Sequence, residues 1–143
     1  EGAPAFGSKR DNSFNVRATG GVKLVTGHTA SGRELGVVLE AGASAWSVLS
    51  DRDAKTHVQP ADGREVLRRL VEHVPVRRWR YEGGDVDHMG PMAQDWHRAF
   101  KLGGDDNKSI STVDADGVAL AALQGLHALH AELREDTERA REA

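Results

Sequence analysis

Apolar positions follow two regimes along the chain. Up to residue 49 they alternate with polar neighbours: Phe14, Val16 and Ala18, then Val22, Leu24 and Val25, then Leu35, Val37 and Leu39, then Trp46 and Val48. Gly20-Gly21, the run from Gly27 to Gly32 and the patch from Glu40 to Ser44 break them apart. Period-two alternation between such breaks predicts short strands. Residues 50–62 are polar, and beyond them the period changes. Val66, Leu67, Leu70, Val71 and Val74 share one face, which predicts a helix from Arg64 to His73. Pro75 ends it, because proline cannot continue a helix interior. Trp79 and Tyr81 alternate with Arg78 and Arg80 and predict a strand. Met92, Trp96 and Phe100 lie one turn apart and predict a second helix over about Met92 to Lys101. Ile110 and Thr112 predict a short strand.

From about Asp116 the pattern predicts one long helix, with Asp114 or Asp116 as N-cap. Ala119, Ala122, Leu126, Leu129 and Leu133 follow the three-and-four spacing of a heptad seam, flanked by Leu123 and His130. About two to three heptads are marginal for an independent coiled coil. The stripe therefore fits a seam between chains and equally a helix packed on its own domain. Past Leu133 the sequence is charged and is expected to fray.

The fold class that follows is α+β. Residues 1–49 read as a β-rich segment, with 1–11 a loop, and residues 50–143 as a small mixed α/β domain ending in the long helix. Forty-nine glycine-broken residues offer too little apolar area to offset their chain entropy. That segment must lean on the second half of the chain or on two further chains, as at the end of a fibre.

Composition narrows the function. The net charge of −3 gives no basic footprint for nucleic acid. The absence of cysteine excludes disulfides, thiol catalysis and Cys-bound zinc. No apolar run approaches the ~20 residues that span a bilayer. The chain begins at Glu1 without Met, and is expected to be a piece of a longer protein. No cofactor or metal is expected. Among the histidines, His127 and His130 are three apart on the last helix and read as a polar layer in a seam, with no closing ligands for a metal. Asp105-Asp106-Asn107 lacks the remaining ligands of a calcium loop. Trp46, Trp79 and Trp96 read as core or chain-interface residues.

One pair carries candidate chemistry. Ser50 is a hydroxyl nucleophile candidate and Lys55 an amine able to serve as its base when neutral. Five residues apart means opposite faces of a strand, or about 140° around a helix. No regular element joins them. Either the chain turns between them, which Asp51 and Asp53 would suit, or the pair forms between two chains. The spacing alone recurs by chance in many sequences.

The stretch Ser50-Asp51-Arg52-Asp53-Ala54-Lys55-Thr56 resembles the SDRRLKT-type opening of the intramolecular chaperone domains of phage tail spikes and tail fibres. This is the self-cleaving endosialidase C-terminal domain family, also found in the myelin regulatory factor. Further similarities come in order: Val66 to Leu70 with the first helix, Trp79-Arg80-Tyr81 with an aromatic strand, and His88-Met89-Gly90-Pro91-Met92-Ala93-Gln94-Asp95 with "hiGviAQE". Val113-Asp114 through Leu126 resembles the start of the final helix, so the likeness covers about residues 50–135. Residues 12–49 resemble, more loosely, the glycine-rich β region that precedes such domains.

The resemblance implies a homotrimer that folds and trimerises the β-fibre upstream of it in the same chain, then cuts itself off. It implies an autoproteolytic serine endopeptidase of single turnover, with Ser50 as nucleophile, Lys55 as general base and Leu49–Ser50 as the scissile bond. Asp51, His57 and Gln94 are the residues expected to support them. Such a protein belongs to a phage tail fibre or a bacterial fibre-like protein, folded in the cytoplasm, with no nucleic acid or membrane as partner. Three positions depart from the pattern: Asp53 stands for a basic or neutral residue, Ala54 for a larger aliphatic one, and His57 where Asn is common. Asp53 would favour a protonated Lys55 and slow cleavage. The rivals are a C-terminal trimerisation cap that never cleaves, and a plain α+β binding module with Ser50 and Lys55 on its surface.

Overall fold

The computed structural model describes residues 6–7 and 10–143. The expected loop over 1–11 lies partly outside the described residues. The chain divides into two compact units, residues 1–58 and 59–143. Both α and β elements are present, and the chain ends in a long helix, as the α+β reading holds.

The first unit is an antiparallel sheet in the order β1-β2-β3. Strands β1 (Val22–His28) and β2 (Glu34–Leu39) form a hairpin, and the two-residue β3 (Ser47–Val48) pairs with Val37 and Val38 of β2. The hairpin turn is closed at both levels: Thr29 N–H donates to Arg33 O at 2.8 Å, and Arg33 N–H donates to the Thr29 hydroxyl at 3.0 Å. The register slips between Val25 and Gly27, a bulge that adds twist. Across the pair, Gly36 meets β1 so closely that a Cβ there would lie 1.9 Å from Leu24 O. Only glycine fits that crossing.

The alternation of Phe14, Val16 and Ala18 does not become a strand. Residues 12–21 are turns and irregular backbone, and Phe14 is 92% exposed. Alternation makes a strand only where the segment pairs, and these residues pair with neither outer strand of the sheet. Among the described residues of this unit none is buried. Leu24, Val25, Trp46, Val48 and Leu49 all face solvent. A hairpin with one short added strand is marginal without a further surface to cover it.

The second unit has a core. Helix α1 (Gly63–His73) is capped by Asp62, whose carboxylate accepts from Arg64 N and Glu65 N at 3.0 and 3.1 Å. It ends at Val74, before Pro75. Strands β4 (Arg77–Trp79) and β5 (His88–Gly90) form a small antiparallel pair. β5 was not visible in the pattern, because His88-Met89-Gly90 carries no alternation of its own. Trp79 stacks on His88 at 4.6 Å, and Tyr81 packs edge-on to Trp79 at 4.7 Å. Helix α2 (Ala93–Phe100) places Trp96 edge-on to Phe100 at 4.9 Å. Val74, Trp96, Ala99 and Val118 are buried together, with Val66, Leu70, Phe100, Ile110 and Ala115 around them. Val71, expected on the inner face of α1, is instead 75% exposed.

Helix α3 (Thr112–Glu142) starts earlier and ends later than its pattern predicts. Ser111 is its N-cap residue, so no strand forms at Ile110–Thr112, and Asp114 lies in the first turn, where a carboxylate favours the positive end of the helix dipole. Past Leu133 the helix continues, with Arg134–Glu138 and Arg139–Asp136 paired one turn apart. Its packed face is built from Val118, Ala122 and Gly125. These small residues let α1 approach until the backbones of Gly63 and Gly125 touch. The leucines at 120, 123, 126, 129 and 133 stay exposed. Of the expected seam, Ala122 is spent on packing within the unit, whereas Leu126, Leu129 and Leu133 are not.

Candidate functional site

The Ser50–Lys55 pair meets within one chain. Lys55 Nζ donates to Ser50 Oγ at 2.8 Å. The connection is a single 3₁₀ turn over Arg52–Ala54. Asp51 caps it, its Oδ1 accepting from Asp53 N at 3.0 Å, and Lys55 N–H closes it on Arg52 O at 3.1 Å. Lys55 then returns to extended backbone (φ −111°, ψ 146°), which carries its side chain back toward Ser50. Of the two ways left open by the sequence, the turn within the chain is the one seen here.

The other carboxylate oxygen of Asp51 pairs with the Arg33 guanidinium. Arg33 Nη2 also lies 3.8 Å from Asp53 Oδ2. The acidic residue that departs from the family pattern thus faces an arginine. Sequence reasoning missed Arg33: a pairing across 18 positions leaves no local signature. Leu49 is exposed and lines a shallow groove with Val48, Leu35, Val37, Glu34 and Lys23. His57 takes a left-handed backbone (φ +55°), and its Nδ1 lies 3.2 Å from the Thr56 hydroxyl, beside the pair but not bonded to it. Gln94 belongs to the second unit. It stands exposed in the first turn of α2, on a groove it shares with Trp79, Tyr81, Met89, Lys108 and Ile110.

Chemically, the pair is the minimum of a nucleophile and a base. Here the lysine nitrogen donates to the hydroxyl. A neutral amine at the same distance would accept the hydroxyl proton instead, within the range general-base transfer requires. Ser50 and Lys55 are both exposed in the single chain. No helix of the described residues is long and apolar enough to cross a membrane.

Residues 50–104 match the family model Peptidase_S74, described as chaperone of endosialidase, and this match supports the resemblance of the segment to that family. The match begins at Ser50, runs through the 3₁₀ turn, α1, β4, β5 and α2, and ends before α3. The family name points to serine-peptidase-like self-processing in a chaperone of endosialidase type. No curated protein and no solved structure matches the chain.

Proposed function

We propose that the chain is a homotrimeric intramolecular chaperone that folds and trimerises an upstream β-fibre and then cuts itself once, between Leu49 and Ser50. The observation that carries this reading is the 2.8 Å contact between Lys55 Nζ and Ser50 Oγ at the first residue of the family match. In the proposed reaction, neutral Lys55 takes the Ser50 hydroxyl proton as Oγ attacks the Leu49 carbonyl carbon. The C–N bond to Ser50 breaks, its nitrogen takes the proton, and Leu49 is left as an ester on Oγ. Water then hydrolyses the ester, freeing the Leu49 carboxylate and restoring the hydroxyl. Residues 1–49 go with the fibre, and residues 50–143 are released.

Trimerisation is supported by what one chain leaves uncovered. The first unit buries none of its described side chains, and α3 exposes its leucines. Packing of neighbouring chains would cover both, and would remove water from around the dyad. A lysine amine shielded from water favours its neutral form. The exposure of Ser50 and Lys55 in the single chain supports a second reading, a trimerisation cap that does not cleave. The test is whether the wild-type chain parts at Leu49–Ser50 while Ser50→Ala and Lys55→Ala chains stay whole.

A further inference from the structure

We propose that Arg33 is a positioning residue for this self-cleavage, and that it makes assembly of the Ser50–Lys55 contact conditional on a folded β1–β2 hairpin. The inference rests on the self-cleaving reading and adds to it a link from fibre folding to the cut. Three observations carry it. First, the backbone of Arg33 is held by the hairpin: its carbonyl and its N–H both bond Thr29 across the turn. Second, its guanidinium reaches both acidic residues of the 3₁₀ turn, pairing with Asp51 and lying 3.8 Å from Asp53. Third, Asp51 is the residue that caps that turn, and the turn is what brings Lys55 back to Ser50.

The chain of contacts therefore runs from hairpin to Arg33, to Asp51, to the turn, to the dyad. It also crosses the proposed scissile bond. Arg33 lies on the fibre side of Leu49–Ser50, and Asp51 and Asp53 lie on the released side. An upstream segment that has not formed its hairpin leaves Asp51 and Asp53 without this cation, and the turn loses its outside anchor. Arg52 is the cation on the turn itself, Lys55 follows it and bonds Ser50, and on the hairpin Lys23 and Glu34 pair with each other.

The test uses the full chain and two readouts. In a Ser50→Ala background, which cannot cleave, amide hydrogen exchange at Asp53 and Lys55 reports the turn directly. Arg33→Gln is expected to speed that exchange about five-fold, the scale one exposed ion pair sets. Exchange across β1 and β2 should stay unchanged. Asp51→Asn keeps a capping oxygen but removes the charge. It should give the same acceleration, with no further effect in the double variant, because both act on one link. In the cleavable chain, Arg33→Gln should slow cleavage by a similar factor, and Arg33→Lys should recover part of the loss through Asp51. Unchanged exchange at Asp53 and Lys55, or additive effects in the double variant, overturns the proposal. A wild-type chain that never cleaves while Arg33→Gln still loosens the turn removes the self-cleaving reading alone.

Discussion

Gly63 and Gly125 meet backbone to backbone where α1 crosses α3. A Cβ added to Gly125 would lie 2.1 Å from Gly63 O, and one added to Gly63 would lie 2.6 Å from Ala121 O. Both obstacles are main chain, so neither can rotate aside. Gly125→Ala should therefore destabilise the second unit by about 1–3 kcal/mol, as overpacking of a tight contact does. Gly117 lies in the same helix with nothing within 4 Å of its Cβ position. Gly117→Ala should be neutral or stabilising by up to ~1 kcal/mol, since alanine is the better helix former. Denaturant unfolding of the two variants checks the contrast. Equal effects would mean the crossing is looser than described.

The exposed leucines of α3 predict where chains meet. Leu126 and Leu133 lie off the face that packs on α1, and Leu133 is 65% exposed. Leu126→Glu with Leu133→Glu should leave helix content unchanged by circular dichroism and lower the native mass from three chains to one. The scale is about 1.5–3 kcal/mol per leucine side chain buried. A wild-type mass of one chain, or a variant that keeps the wild-type mass, speaks against this seam.

Acid should weaken the second unit through Glu65. Hydrogen bonds from Arg68 and then Arg69 hold its carboxyl at about 2, against 4.5 for an ordinary glutamate. Between those values the unfolded chain binds the proton and the folded chain does not, so stability rises with pH. The contribution is complete above 4.5 and lost as pH falls through about 2. Denaturant midpoints of wild type and Glu65→Gln should differ by a constant amount at neutral pH and converge across that window. A gap that does not close there would assign the acid sensitivity elsewhere.

If an amine base limits the cut, the rate must follow the neutral amine. Cleavage of freshly refolded protein should speed up between roughly pH 6 and roughly pH 9. A flat profile over that range would argue against Lys55 as the base.

Much of the molecule was legible from local pattern. Val66, Leu70 and Val74 with Pro75 marked α1, and Met92, Trp96 and Phe100 marked α2, because one face of a helix repeats within the segment itself. The turn between Ser50 and Lys55 is one of the two arrangements left once both regular elements fail to join them, the other being a pair between chains. What escaped depends on partners distant in sequence. Phe14 to Ala18 alternates but pairs with no strand, and β5 exists only because β4 lies beside it. Ile110 and Thr112 predict a short strand, but Thr112 opens α3, the helix whose Val118 packs with Val74 and Trp96. The heptad spacing places Ala122 in a seam and assigns Gly125 nothing, whereas the small size of both serves the approach of α1. Arg33 gave no sign, since its carboxylate partners lie on the far side of β2 and β3 in the chain.

The central claim is tested most directly by intact mass under denaturing conditions, measured on freshly purified wild type beside Ser50→Ala and Lys55→Ala. The account predicts that wild type alone yields two pieces, one ending at Leu49 and one beginning at Ser50, and that both variants stay full length. Wild type that remains whole while its native mass is that of three chains would contradict self-cleavage and leave the trimerisation cap.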